Sequence, residues 1–465
     1  MNAKMKVGFL CSLVCAMAAC KVQSSSESSQ ISRLPGQSGQ PTELEPQPRP
    51  FIFSIRLDDA RSVIKGNTFV SIITGEGDFN YDVDWNNNGT YDDTKLTNSI
   101  RLDYKKPGTY TFRIRGQFPH MLAKESKRDS NLCGMKVVQW GDIQWKSMKR
   151  MFKGCDEVAS IFPDKEAPDL SHVTDMSEMF LLASSFNQPL DHWNTENVTD
   201  MSRMFSYAKS FNQPLNSWNT ENVKNMSGMF NHATSFNQPL DSWNVSNVTQ
   251  MRYMFTSASA FDQPLDSWDT KNVTDMNQMF FKASVFNQPL DSWNTENVKN
   301  MSGMFNHAKS FNQPLDSWNT KNVTDMSGMF WSAKSFNHPL NSWDTKNVTD
   351  MSDMFNYAKS FNQPLNAWNT SSVTDMSHMF YQASAFNQPL NAWNITNVTN
   401  MEGMLDGCSM DTKNYDATLQ GWAKQLPMPP RQFGAKGLTY CKAAKARQQL
   451  IDAGWTIEGD SKKCK

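Results

Sequence analysis

Apolar residues return with a period of 25 from Met176 to Asn400, giving nine units without insertion or deletion. The unit Met201 to Asn225, MSRMFSYAKSFNQPLNSWNTENVKN, serves as the type. A period in this range marks a solenoid or array. Counting from the first Met, positions 1, 4, 5 and 8 are Met201, Met204, Phe205 and Ala208. That i, i+3, i+4, i+7 spacing places all four on one helical face. Asp200 or Thr199, just before it, offers a side-chain oxygen to an amide of the first turn. The pattern predicts a two-turn helix at the start of each unit, too short to stand without neighbours. Phe211, Leu215, Trp218 and Val223, at positions 11, 15, 18 and 23, anchor an extended remainder. Pro214 at position 14 recurs in all nine units and cannot donate to a ladder. Any parallel strand is therefore confined to the residues before it or to Leu215–Trp218. Coils about 4.8 Å apart would give nine of them a core on the order of 45 Å long. Asn at position 12 (Asn187, Asn212, Asn237, with Asp262 as the exception) would form a hydrogen-bonded ladder along it. The Met, Phe and Trp rows read as core packing, because a cofactor box would not need the same residues in every coil.

Other positions vary. Position 3 runs Glu178, Arg203, Gly228, Tyr253, Gln278, Gly303, Gly328, Asp353, His378. Positions 6 and 7 include Tyr207, His232, Phe281, His307, Trp331, Tyr357 and Tyr381. Phe281, Trp331 and Tyr381 share position 6, two coils apart. If exposed, they form an aromatic stripe of the kind used for binding; otherwise they close gaps at the edge of the core. Tyr207, Tyr253, Phe281, Trp331, Tyr357 and Tyr381 are the ligand-binding candidates.

Ahead of the array, FIFSIRL, NTFVSII, FNYDVDW, SIRLDY and GTYTFRIRG alternate apolar and polar residues and predict strands. Asn88-Gly89 is a hairpin signal. A small antiparallel sandwich over residues 51–122 follows, and YKKPGTYTF resembles the late strands of immunoglobulin-like PKD modules. The loop DWNNNGTYDD from Asp84 matches the start of a calcium loop. Asp82, Asp84, Asn86, Asn88 and Asp92 are its candidate ligands. The twelfth position is Lys95, where such a loop takes a bidentate Glu, and a plain Asn-rich turn is the competing reading. No other cofactor is expected.

Net charge is -1 and mean hydropathy -0.60. There is no basic patch to suggest a nucleic-acid partner, and no apolar run after residue 20 long enough for a transmembrane helix. Residues 1–19 read as a signal peptide: Lys4 and Lys6, then the apolar Val7 to Met17. Met17-Ala18-Ala19-Cys20 resembles a bacterial lipobox, which implies cleavage before Cys20 and lipid on its thiol. Residues 20–50 are Ser-rich, then Pro-rich, and suit a tether. Lys21, where Asp would signal inner-membrane retention, favours the outer membrane if the envelope is Gram-negative.

Beyond residue 20, Cys133, Cys155, Cys408, Cys441 and Cys464 remain. An exported chain can form disulfides. Cys441 and Cys464 bracket a helix-like stretch and a short strand and are paired here. Cys133 with Cys155 would leave Cys408 odd, and spacing does not fix this connectivity. MFKGC and MLDGC at the two edges of the array mark atypical capping coils.

The MSxMFxxAxSFNQPLxxWNTxNVTD unit resembles the repeat of bacterial BspA-like leucine-rich-repeat surface proteins. DVDWNNNGTYDD, PGTYTFRIRG and QWGDIQW resemble that family's leader domain, and GWAKQ, GLTYC and RQQLIDAGWTIEGD its C-terminal cap. The resemblance implies an α/β, leucine-rich-repeat-like solenoid on an exported, lipid-anchored cell-surface protein with a role in adhesion or partner binding. Residues 123–175 then form a connecting segment and N-terminal cap, and 401–465 a C-terminal cap. The partner is an unidentified protein or glycan at the cell surface, with the membrane reached through the lipid. The alternative is an envelope spacer without a ligand, which the near-identity of 226–241 and 301–316 suits. An enzyme is the least favoured reading. The seven His are scattered, and the repeated carboxylates lack the uniqueness of a catalytic pair. Asn-Val-Thr, as at Asn197, matches a glycosylation acceptor, but its Val is a core position and the motif follows from the repeat.

Overall fold

The computed structural model describes residues 47–57, 68–104, 106–122, 135–155, 162 and 166–464. All of its elements lie in one compact unit, Pro48–Lys465. The expectations for the signal peptide, Cys20, nearly all of the tether and Cys133 fall outside the described residues.

The first elements are β1 (Phe51–Leu57), β2 (Thr68–Ile72), β3 (Asn80–Asp84), β4 (Asp93–Leu96), β5 (Ile100–Tyr104), β6 (Gly108–Gln117) and β7 (Met135–Gln139). Five of them form an antiparallel sheet in the order β4-β3-β6-β1-β7, and β2 pairs with β5 in a second sheet. The alternation seen in the sequence fixes the inward side. Phe51, Phe53 and Ile55 of β1 and Phe112 and Ile114 of β6 are fully buried. Tyr104 of the two-stranded sheet meets Phe112 edge-on, with ring centroids 6.2 Å apart. The fifth strand, β7, comes from the stretch expected to be a connector, and buried Met135 and Val137 hold it against β1.

No helix opens the repeat units. Among the described residues the α-helices are α1 (Thr412–Ala423) and α2 (Ala444–Asp452), both after the array. Each unit instead begins with interlocking four-residue turns. Met204 N–H donates to Met201 O, Ser206 to Arg203 and Ala208 to Phe205. Arg203 and Tyr207 have φ of 54° and 61°, and positions 3 and 7 are left-handed in every unit. This is the sign of φ required at the third place of a type II turn, and it breaks any helix. The remaining amides reach forward: Met201 N–H to Asn225 O at the end of its unit, and Arg203 to Ser227, Phe205 to Met229 and Tyr207 to Asn231 of the next, in the same pattern in all nine units. Ser202 N–H is taken by Asp200 Oδ1 at 2.8 Å. Every amide from position 1 to 8 is thus bonded, as burial demands. The expected helix fails because two successive turns also place positions 1, 4, 5 and 8 inward, and neighbouring units supply the bonds a helix would make internally.

The expected strand at Leu215–Trp218 is likewise a turn, closed by Trp218 N–H to Leu215 O at 3.1 Å. Parallel pairing is reduced to one bridge per unit at position 25, running from Ser147–Asp175 through Asp375–Asn400. The core consists of stacked rows. Phe205 lies 4.0 Å from Phe211 within its unit and 5.7 Å from Phe230 of the next. Trp218 stacks on Trp243 at 6.5 Å, and its Nε1 donates to Leu190 O of the preceding unit at 2.8 Å. Asn187 Oδ1 accepts from Asn212 N–H at 2.9 Å, and the row continues down the array with Asp262 in the same role. The ladder therefore joins side chain to backbone. Asn197 Nδ2 donates to Ser171 O at 2.9 Å, so the Asn of that Asn-Val-Thr triplet serves the stack.

Both ends are closed. At the front, Trp140 stacks on Phe51 of the sheet at 5.7 Å and meets Phe152 at 6.5 Å, joining the two cores. At the back, Trp422 of α1 takes the next place in the Trp row, donating to Leu390 O at 3.1 Å. Asp411 N–H continues the Asn row. The strand β8 (Gln432–Gly434) receives the last crossing amides, with Leu405 N–H on Gly434 O. Strand β9 (Thr439–Tyr440) pairs parallel with β11 (Ser461–Lys462), and β8 with β10 (Thr456–Glu458). Asp416 of α1 accepts from Cys441, Lys442 and Ala443 N–H, covering the free amides before α2. Cys441 and Cys464 are joined, with Cα atoms 5.0 Å apart. Cys408 is a buried thiol, and burial pushes its pKa up to about 11.

Candidate ligand-binding face

The left-handed turn residues do more than break a helix. At positions 3 and 7 they swing side chains away from the Met/Phe core, so these places tolerate any residue that accepts positive φ. Position 6 lies between them, half-buried where it is aromatic and buried where it is Ser206, Thr256, Asn306 or Asn356.

Of the six sequence candidates, Tyr207 and Tyr357 are the most open, at 36% and 39% exposure. Tyr253, Phe281, Trp331 and Tyr381 are half-buried. The structure gathers five of them into three groups. Tyr207 stacks on His232 at 4.3 Å. Phe281 meets His307 at 6.2 Å, and His307 meets Trp331 at 6.0 Å. Tyr357 meets Tyr381 at 5.6 Å, and Tyr381 meets His378 at 5.5 Å. Tyr253 has no ring partner among the described residues. Position 6 alone does not make a continuous stripe, because polar residues occupy it in the intervening coils. Between coils, the rings join through position 7 of one coil and position 6 or 7 of its neighbour.

The histidines of these groups are among the seven that lie scattered along the sequence. Their signal is that each stands at a left-handed turn position, His232 and His307 at position 7 and His378 at position 3. Burial, followed by the nearby lysines, holds the His232 and His307 pKa below the ordinary value. Lys282 acts on both rings and also lies over the Phe281 ring at 4.9 Å.

The Asp/Asn loop is held by its own hydrogen bonds. Asp84 is fully buried, and its Oδ1 accepts from Asn86 and Asn88 N–H and its Oδ2 from Gly89 N–H at 2.8 Å. Asn86 and Asn88 oxygens cap the amides two residues on, and Asp92 accepts from Trp85 N–H. Asp82 accepts from Lys95 N–H and pairs with Arg115 at 2.9 Å. The candidate oxygens accept from the loop's own amides, a set of Asx turns that shapes the loop. Among the described residues no three His, Cys, Asp or Glu side chains are grouped to hold a metal. Beside the loop lies an open cleft of about 510 Å3 bounded by Trp85, Asn87, Tyr104 and Tyr110, which no sequence pattern marked.

Among the described residues no helix is long and apolar enough to cross a membrane. No curated protein and no solved structure matches the chain. The profile of one repeat family matches three overlapping stretches, residues 146–268, 239–326 and 315–422, which together span more than half of the chain. They coincide with the array and its two edges, so the chain belongs to the family described as "Mycoplasma protein of unknown function, DUF285".

Proposed function

We propose that this is an exported, lipid-anchored surface protein of the BspA-like kind, built on a leucine-rich-repeat-like solenoid that binds a partner through its variable positions. The observation that carries the reading is the division of labour within the unit. Positions 1, 4, 5, 8, 11, 15, 18 and 23 are buried in every unit. The differences concentrate at positions 3, 6 and 7, where five of six candidate aromatics meet another ring. Core packing does not require Trp331 or Tyr357, whereas partner recognition uses such anchors. Lipid on Cys20 and the Ser/Pro-rich tether would present this face away from the membrane.

The test is protease treatment of intact cells carrying wild type or Cys20→Ala. Wild type is expected to be cell-bound with its repeats clipped, and Cys20→Ala to be released. Repeats that stay protected, or a variant held as firmly as wild type, would sink the surface reading. A second reading, a spacer, draws on the near-identity of 226–241 and 301–316. Replacing Tyr207, Phe281, Trp331, Tyr357 and Tyr381 by Ser separates the two: loss of cell adhesion with the fold intact supports binding, unchanged adhesion supports the spacer.

A further inference from the structure

The charges of the array are sorted by position. Lys282 at position 7 and Lys209, Lys309, Lys334 and Lys359 at position 9 are exposed. Between positions 5 and 15 the nine units hold one carboxylate, Asp262, whose oxygen already accepts from Asn287 N–H and Gln288 Nε2. The acids fall elsewhere. Asp191, Asp241, Asp266, Asp291 and Asp316 are all at position 16, and others are at positions 19, 21 and 25. Asp353, at position 3, accepts from Asn356 of its own unit. Among the described residues none of the five lysines is in an ion pair, although Lys271, Lys321 and Lys346 at position 21 all are.

Four of these cations stand in consecutive units, Lys282, Lys309, Lys334 and Lys359. The rows of neighbouring units repeat at 5.6–5.7 Å, as at Phe305–Phe330 and Phe330–Phe355. Lys282, Lys309 and Lys334 all act on His307, so they form one field. Along the same run lie Phe281, His307, Trp331 and Tyr357. The result is a narrow line, one positive charge per coil, bordered by ring faces.

We propose that this line, at positions 7 and 9 of units 276–375, binds a linear acidic polysaccharide lying along the stack. The inference rests on the binding reading above and names its partner class. Charge complementarity selects a polyanion. The regular step, close to the rise of one sugar in an extended chain, selects a linear polymer carrying a carboxylate or sulfate on successive residues. The ring faces of Trp331 and Tyr357 suit the apolar C–H face of a pyranose. A strip one or two side chains wide, on a chain of net charge -1, is too narrow a footprint for a duplex.

The full chain should be titrated with heparin oligosaccharides, with neutral dextran of matched length and with a DNA oligonucleotide of matched charge. The variants are K309Q/K334Q/K359Q and, separately, W331S/Y357S. All of these side chains are at the surface or half-buried at its edge, and a melting curve checks the fold. Wild type is expected to bind heparin and not dextran. The lysine variant should bind about tenfold or more weakly, with the slope of log K against log salt reduced by about two. The ring variant should lose affinity for heparin without a change in that slope. Absence of heparin binding, or a lysine variant that binds as wild type does, overturns the proposal. So does DNA bound as tightly as heparin with the ring variant unaffected, since no sugar is then recognised. Self-association of the chain that the lysine variant abolishes also overturns it, by making the partner a second copy with its position-16 Asp row. These outcomes concern purified protein, so the surface reading stands or falls separately by the protease test on cells.

Discussion

A single dihedral sets the character of each unit. Gly occupies position 3 at Gly228, Gly303, Gly328 and Gly403, while Arg203, Tyr253, Gln278, Asp353 and His378 hold the same positive φ with side chains. A Cβ on Gly328 would meet nothing closer than Asn306 Nδ2 at 3.6 Å, so space is not limiting. Gly328→Ala should therefore cost about 1 kcal/mol from the backbone alone, read as a small fall in denaturant midpoint. The recurring Gly was visible in the sequence, but scattered among Arg, Gln and Tyr it did not disclose the turn. His120 is a second such residue. Its Nδ1 accepts from Glu76 N–H at 3.1 Å, and its Nε2 donates to Lys149 O at 2.8 Å, tying the sheet domain to the first coil in the neutral form. Gly75 makes room for it, since a Cβ there would sit 2.1 Å from Nδ1. Burial holds the His120 pKa below its ordinary 6.5. As pH falls, the unfolded chain takes the proton first. The stability this ring contributes is full above pH 6.5 and drains as pH drops through its lower folded value. Melting temperature measured from pH 7.5 to 5 should decline more steeply in wild type than in His120→Gln.

At the scale of the element, the apolar pattern located the core correctly and misnamed what carries it. Met201, Met204, Phe205 and Ala208 are all fully buried, as their spacing required. A helix and a pair of four-residue turns both return a side chain inward after three, four and seven residues, so periodicity cannot choose between them. The Asp or Asn at position 25 was equally ambiguous, because the oxygen that caps a helix also closes an Asx turn. The choice is made by the partner unit, whose carbonyls exist only once the stack has formed. The Phe and Trp rows were legible because they recur without exception. Phe280 packs between Phe255 at 5.6 Å and Phe305 at 5.7 Å and beside Phe286 at 4.1 Å. Phe280→Ala should cost about 3–5 kcal/mol in urea unfolding, far more than truncation of the half-buried Phe281 next to it. The Asp/Asn loop is ambiguous at this scale too. The residues that start a calcium loop also make Asx turns, with Asp84 accepting backbone amides and Lys95 at the twelfth place.

For the whole molecule, the array is a sum of near-equal neighbour contacts held between two unlike ends. Excision of residues 301–325 joins Asn300 to Met326 at the same position of the repeat, and every crossing bond can re-form one unit earlier. That variant should remain folded by circular dichroism and melt cooperatively at a somewhat lower temperature. Excision of 301–324 shifts all later core positions by one place and should yield an aggregating or unfolded chain. The sequence disclosed this modularity in full. It did not disclose the adaptors, since Trp422 on α1 and Phe433 on β8 complete rows of the array from a segment with no trace of the repeat. The ring groups and the lysine line were also out of reach, because they depend on which side chains of adjacent coils meet.

The amides at positions 1, 3, 5 and 7 all point toward the following unit, and their acceptor carbonyls all point back. The amides at positions 24 and 12, such as Lys224 N–H to Thr199 O and Asn212 N–H to Asn187 Oδ1, run the other way, as does position 10 in some units, and they offset part of this. Peptide dipoles that cancel in an ordinary sheet here add along the stack, with the positive pole at the C-terminal end, opposite in sense to an α-helix. The array therefore has an electrical direction as well as a length. An extended anion lying on it feels a gradient from one end to the other, and two arrays meeting end to end attract only head to tail.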